Sequence, residues 1–401
     1  IPQMRFGSED IAFLLDHHLI TEEAAPYFRN FKFTGDVQAM KEGTIFFPGE
    51  PVVRVSAPMI EAAMFEVFLM GCLASNVLFA SKAARIRLVT PEKYGLATGM
   101  LRAHSFESGF KACRNAHMFG IFSNGTPAVA QKLSLDARQY IITAQHLFIT
   151  SFSKEIDAFR ALVKLFPEKS SFMVDTYDVT QGIDNAIQVA KEMEDRGEKL
   201  FGVCIDSGDM LAQAVAARKQ LDDAGMIDMK VFVVGNLDEY KIKQLIAADI
   251  PCDVFGFATE YVTVQDSPKL EVVYKLAEVR NGDEVRNVAK LSPGKTNYPG
   301  RKQVFRIKKD GLLVKDIIGA EDEMLGEPLL MPVIAQGKLV YALLELEVIK
   351  EYALAQLQEL PESLRDIEVQ HVYPVEYSQK LEDALQEVRK KYRYTHDEPD
   401  V

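Results

Sequence analysis

The sequence predicts an α/β protein built on an irregular (β/α) barrel, with a second, discontinuous β-rich α+β domain. Three observations predict it. Between Ser171 and Tyr261, short apolar runs alternate with helical patterns, the signature of a parallel sheet covered by helices. Each run ends in small or polar residues, where parallel α/β folds place ligands. The flanks read differently, as β-branched and aromatic runs broken by glycine and proline.

The strand candidates, in order, are SFMVDTYD, LFGVCIDSGD, KVFVVGNLDE and CDVFGFATEY. Ile183, Ala186, Ile187 and Ala190 follow the i, i+3, i+4, i+7 spacing of a helix face, with Gly197 as a stop. Ile242, Leu245 and Ile246 repeat the pattern, and Asn236 with Glu239 resembles a capping box at that helix's start. Upstream, Gln139–His146 and Ala158–Phe166 add another strand–helix unit, which favours a barrel over an open doubly wound sheet; no GxGxxG follows a first strand. The N-terminal flank offers strands at Thr44–Phe47 and Val52–Val55, and the C-terminal one at Val272–Leu276, Val304–Ile307 and Leu312–Val314. Leu381, Ala384, Leu385 and Val388 mark a late amphipathic helix, and Thr395–Val401 reads as a frayed tail. The expected division is therefore residues 1–60 for the first part of the β-rich domain, 61–265 for the barrel, and 266–401 for the return to the β-rich domain with a helical tail.

Composition excludes several classes. A net charge of −12 opposes nucleic-acid binding by bulk electrostatics, so any anion site is local. The four cysteines, Cys72, Cys113, Cys204 and Cys252, form no CxxC pair, which argues for reduced thiols in a cytoplasmic protein. The longest charge-free apolar stretch, residues 67–81, is short for a bilayer span, and no signal-peptide pattern is seen. No lysine stands at the strand ends for Schiff-base chemistry, and HExxH, Walker A and GxSxG are absent.

Chemistry concentrates at the strand ends. Gly235, Gly256 and Thr259 make a small, oxygen-rich rim suited to phosphate, or else glycines that simply permit tight βα turns. Asp175, Asp206 and Asp209 can orient ribose hydroxyls or hold Mg²⁺; capping or solvated carboxylates are the plain alternative. His146, after an apolar strand, is a candidate base, acid or nucleophile, or a hydrogen-bonded core histidine. Lys290, Lys295, Arg301, Lys302 and Arg306 crowd one stretch of an acidic chain, as a diphosphate clamp or as a charged edge hairpin.

Taken together, the segments FRNFKFTGDVQAMKEGTIFFPGEPVVRVSAP, SKAARIRL, LRAH, SKEIDAFR, MVDTYD, GVCIDSGD, NLDE, VYKL, AKLSPGK, PGRKQVFR, GEPLLMPVI and LPESLRDI resemble the nicotinate phosphoribosyltransferases over most of the chain. That resemblance implies transfer of phosphoribosyl from phosphoribosyl diphosphate to nicotinate, coupled to ATP hydrolysis through a phosphorylated histidine and assisted by Mg²⁺. It implies a homodimer, acting on small molecules rather than on nucleic acid or membrane. On the matching positions, His146 carries the phosphoryl group and Thr143 touches the pyridine. Thr259 binds phosphoribosyl diphosphate, Gly235 and Gly256 lie in phosphate loops, and Asp206 and Asp209 position ribose, base or metal-bound water, with Asp175 and Asp206 facing the metal. Cys204 stands where the family has an arginine. Leu101-Arg102 stands where it has an arginine pair, leaving Arg102 as the retained cation, and Ala258 replaces a loop glycine. A changed acceptor base, or a homologue without catalysis, are the alternatives these departures raise.

Overall fold

The computed structural model describes residues 2–90, 95–97, 99–123, 127–135 and 140–392. Gln139 and the tail Thr395–Val401 lie outside them. The chain divides into two compact units, residues 74–270 and residues 1–73 with 271–401.

The strands, in chain order, begin with β1 (Asp36–Met40) and β2 (Val53–Ser56). The middle of the chain supplies β3 (Gly95–Ala97), β4 (Phe122–Ser123), β5 (Ile142–Ala144), β6 (Ser170–Met173), β7 (Gly202–Ile205), β8 (Lys230–Val233) and β9 (Val254–Phe257). The C-terminal part supplies β10 (Glu278–Asn281), β11 (Glu284–Asn287), β12 (Lys302–Lys309), β13 (Leu312–Ala320), β14 (Glu327–Pro328), β15 (Leu330–Ala335), β16 (Lys338–Leu339) and β17 (Val375–Tyr377).

The unit formed by both chain ends holds two four-stranded sheets, ordered β16-β15-β1-β2 and β14-β12-β13-β17, and a β10–β11 hairpin. Antiparallel pairing of β1 with β15 brings together strands from opposite ends of the sequence. Phe33, Val37, Phe65 and Ile334 pack behind one sheet, and Val304, Ile318, Leu329 and Leu381 behind the other. Two expected strands do not form. Thr44–Phe47 is a loop between β1 and β2, held by a Phe47–Tyr373 ring stack at 3.7 Å and by the Phe47 N–H donating to Glu50. Val272–Leu276 also lies outside any strand. The sequence reading passed over the hairpin EVRN-GD-EVRN, although Asn281-Gly282, with Gly282 at φ +59°, is a strong local turn signal.

Of the five basic residues, Arg301, Lys302 and Arg306 are engaged by this unit's own structure, while Lys290 and Lys295 are exposed. β12 is flanked by β14 and β13, so it is no edge. Arg306 is buried, donating to both oxygens of Asp316 at 3.1 and 2.6 Å, to Gln356 and to the carbonyl of Ile45. Lys302 Nζ donates to the carbonyls of Tyr298 and Gly300, while Arg301 donates to Glu321 and Ser56. Burial, with Arg54 nearby, lowers the Lys302 ammonium to about 8.

The other unit is one all-parallel sheet of seven strands, ordered β4-β3-β9-β8-β7-β6-β5, with helices between successive strands. The first strands, β3 and β4, sit beyond the last, β9. That is barrel order, and β4 and β5, consecutive in the sequence, remain the two edges among the described residues. The described residues thus form a parallel half-barrel sheet, the part of the expected irregular barrel that the structure shows.

The face each residue takes follows from period-two alternation across aligned strands. Phe172 stacks on Phe159 of the helix Glu155–Leu165 at 4.1 Å, so Phe172 and its register partner Val203 face outward. Ser171 and Met173 therefore face inward with Gly202 and Cys204, and Phe232 follows in line. The Thr143–Ser171 hydroxyl pair at 2.8 Å fixes the same inner face on β5.

Caps match the loops that follow the strands. Asp178, Asp209 and Asp238 each accept a backbone N–H three residues on, at the starts of helices Val179–Glu194, Met210–Asp223 and Glu239–Ala247. The cap before the last helix is therefore Asp238 and not Asn236. The helix Met59–Val89 has 31 residues and is long and apolar enough to cross a bilayer, which the 15-residue charge-free stretch understated. Its ends are tied into packed protein: Phe65 joins the Phe33–Val37–Ile334 cluster, and buried Lys82 pairs with Glu239 at 2.8 Å and Asp266 at 2.6 Å.

Candidate active site

The carboxyl ends of β5, β6 and β7 bring His146, Asp175, Thr176 and Asp206 together. His146 is the first residue of the helix His146–Thr150, so its ring stands at the strand tip, 42% exposed. Its Nδ1 lies 3.0 Å from Thr176 Oγ1. Its Nε2 faces Asp206 Oδ2 at 3.7 Å and Asp175 Oδ1 at 3.9 Å. The ring is thus held at one nitrogen by a hydroxyl while the other looks toward two carboxylates. Thr176 carries no motif of its own in the sequence; its place beside Asp175 at a strand end is the available signal.

Asp175 is the buried member, its side chain 2% exposed. Oδ2 accepts the N–H of Asp206 at 3.0 Å and the Ser207 hydroxyl at 2.6 Å, which locks the β7 loop onto the β6 loop. Oδ1 is buried with no hydrogen-bond partner among the described residues. An orphaned carboxylate oxygen in that setting is costly unless a ligand satisfies it. Ligand atoms of His146, Asp175 and Asp206 lie within 4.8 Å of one another, a spacing that fits a cation. Burial raises the Asp206 carboxyl above its ordinary range and the charge of Asp175 adds to this, while His146 and Arg102 pull it down. Behind the cluster, burial raises Glu155, and Asp175 and Asp178 add to the shift; Glu155 accepts from Asn185 at 2.8 Å.

The remaining candidates fall into three groups. Arg102 ends the short 3₁₀ turn Gly99–Arg102, exposed, with its charge felt at Asp206; Leu101 beside it is also exposed. Thr143 lies on the inner face, paired with Ser171. Cys204 lies there too, and burial, then Asp175 and Asp206, push its thiol well above the usual range. Asp209 has one oxygen engaged as a helix cap. Gly235, at φ +120°, takes the left-handed region, and an added Cβ would lie 2.8 Å from the Asp206 carbonyl. Gly256 lies within β9 rather than in a loop; a Cβ there would meet Val234 Cγ1 at 2.0 Å. Ala258, at φ −130°, caps the helix Thr259–Thr263, of which Thr259 is the first residue. That negative φ explains why alanine is accepted where a glycine was expected.

Known proteins are similar to this chain over most of its length. Residues 1–74 match the N-terminal domain and residues 323–385 the C-terminal domain of the nicotinate phosphoribosyltransferase (NAPRTase) family. A nicotinate phosphoribosyltransferase of Mycobacterium tuberculosis is 35% identical over 392 residues, covering 96% of this chain and 82% of that protein. The chain belongs to the nicotinate phosphoribosyltransferase family. A second member, from Bacillus subtilis, is 33% identical over 310 residues, or 77% of this chain and 62% of its own length. The fold is also that of human nicotinic acid phosphoribosyltransferase, with a TM-score of 0.81 at 23% identity over 96% of this chain and 89% of the human one. A nicotinate-nucleotide pyrophosphorylase from Pyrococcus furiosus shares it at a TM-score of 0.68 and 24% identity, over 82% and 81% of the two chains.

Proposed function

We propose that this chain forms nicotinate mononucleotide and diphosphate from nicotinate and phosphoribosyl diphosphate, with ATP hydrolysis coupled through His146. The observation that carries the reading is the juxtaposition of His146 with Thr176, Asp175 and Asp206 at the strand tips of a family member. In the coupling step, a ring nitrogen of His146 attacks the γ-phosphorus of ATP. The bond from that phosphorus to the bridging oxygen breaks, and ADP leaves with its electron pair. Water later cleaves the N–P bond and releases phosphate. Thr176 restrains the ring, and Asp175 holds the Asp206-Ser207 loop in place.

Phosphoribosyl transfer proceeds through an oxocarbenium-like ribose, so positioning and charge carry most of the catalysis. Asp206 lies at the open rim, suited to orienting the ribose, and Thr143 lies deeper, toward the base. The Asp175 and Asp206 carboxylates fit a Mg²⁺ ion, whose charge, when bound, would neutralise departing diphosphate. Leu101, Leu147 and Tyr177 stand exposed near these strand tips, which supports a homodimer covering them; light scattering at micromolar protein reads the oligomeric state.

The test incubates the protein with phosphoribosyl diphosphate, Mg²⁺ and nicotinate, with and without ATP, and reads mononucleotide by mass spectrometry. Product that rises with ATP supports the reading. γ-Labelled ATP should leave an acid-labile, base-stable label that His146→Ala abolishes. Absence of both product and label refutes it.

A further inference from the structure

Beneath the polar cluster, the inner face of the half-barrel is apolar apart from the Thr143–Ser171 hydroxyl pair. Met173, Cys204, Phe232, Val234 and Leu96 belong to one core cluster. Met173, Cys204 and Phe232 align across three strands. Leu96 aligns with Gly256, whose missing Cβ makes room for Val234. On this face Met173, Val234, Cys204, Leu96 and Phe232 keep 9%, 8%, 6%, 6% and 2% exposure, whereas outward-facing Phe172, Val203, Val231 and Val233 keep 0%. It is an uncharged floor, with Met173 and Cys204 two residues before Asp175 and Asp206 on their strands.

We propose that the acceptor base lies on this floor over Cys204, and that the site therefore separates a pyridine carboxylate only weakly from its neutral carboxamide. The inference rests on the phosphoribosyltransferase reading and names the base class of that same site. Carboxylate and carboxamide have the same shape, so only charge or a donor pattern at the substituent can tell them apart. The five floor side chains provide neither a charge nor a strong donor, and the Thr143 and Ser171 hydroxyls beside them can donate to a carboxylate or accept from an amide alike. Among the described residues, Asp175 and Asp206 stand at the strand tips above the floor, where they repel an anion and can accept from an amide N–H. Arg102 favours an anion, but it is exposed and its charge already acts on Asp206. Apolar pockets discriminate between isosteres by about 10²-fold at most, whereas sites built with dedicated partners reach about 10⁴-fold or more.

The experiment measures kcat/KM for nicotinate and for nicotinamide with phosphoribosyl diphosphate and Mg²⁺, in the unaltered protein and in Cys204→Arg and Cys204→Ala. A nicotinate-to-nicotinamide ratio below about 10² supports the proposal, as does a rise of tenfold or more in Cys204→Arg with little change in Cys204→Ala. A ratio above about 10² in the unaltered protein overturns it, whatever the variants do. If no base is turned over, the proposed function fails instead, and competitive binding of the two bases by saturation-transfer NMR still decides. Comparable displacement supports the shared floor; binding of nicotinate alone, or of neither base, overturns it.

Discussion

Glu50 provides the most quantitative prediction. Its carboxyl is almost fully buried, with Oε2 accepting the Phe47 N–H at 3.1 Å and Oε1 unpartnered among the described residues. Asp316 faces it from β13, Arg306 from β12, and Tyr373 donates to the same Asp316 at 3.1 Å. Burial, reinforced by the adjacent Asp316 carboxyl, raises the Glu50 carboxyl from 4.5 to about 8; the Phe47 N–H and Arg306 only partly oppose this. Folding therefore takes up a proton between those two values. The stability this group confers is complete below pH 4.5 and is lost progressively as pH rises to about 8. At 1.36 kcal/mol per pH decade, the full loss approaches about 5 kcal/mol, and sharing the proton with Asp316 brings the expected figure to about 2–3 kcal/mol. Glu50→Gln imitates the protonated acid: it still accepts from Phe47 and can donate to Asp316. The variant should match the parent at pH 5 and exceed it by about 2–3 kcal/mol at pH 8.5. Native-state hydrogen exchange of peptides spanning 302–320, corrected for intrinsic rates, measures both proteins in this unit alone. A difference between the two that stays constant from pH 5 to 8.5 would refute the proton-uptake argument.

Three further outcomes are expected. Thr176→Val removes the hydroxyl at His146 Nδ1 and should slow label transfer from γ-labelled ATP about tenfold, the worth of one hydrogen bond, with Thr176→Ser restoring most of it in rapid-quench assays. Gly256→Ala places a Cβ 2.0 Å from Val234 Cγ1 and should cost about 1–3 kcal/mol by urea unfolding, with Val234→Ala in the same chain relieving the clash. Lys82→Met leaves buried Glu239 with Arg85 at 2.9 Å as its remaining partner and should cost about 3 kcal/mol, read as a lowered thermal midpoint; an unchanged midpoint would mean that water reaches the pair.

The amino-acid sequence determined the class of this fold because its signals there are local. Apolar runs of four or five residues ending in Asp-Thr, Asp-Ser-Gly-Asp and Gly-Asn are parallel strands with loaded tips whatever else the chain does, and His146, Asp175 and Asp206 could be chosen on those grounds. The late helix with Leu381, Leu385 and Val388 buried is legible for the same reason. Tertiary structure decided the rest, because the deciding partners are distant in sequence. Arg301, Lys302 and Arg306 look free until Asp316, Glu321 and the carbonyls of Tyr298 and Gly300 engage them. Gly256 looks like a phosphate loop until Val234 is seen against it, and Thr44–Phe47 looks like a strand until Tyr373 stacks on Phe47. The candidate site lies between these extremes. Its residue types were legible one at a time, but that His146 turns one nitrogen to Thr176 and the other to two carboxylates depends on the alignment of three strands, which no local pattern encodes.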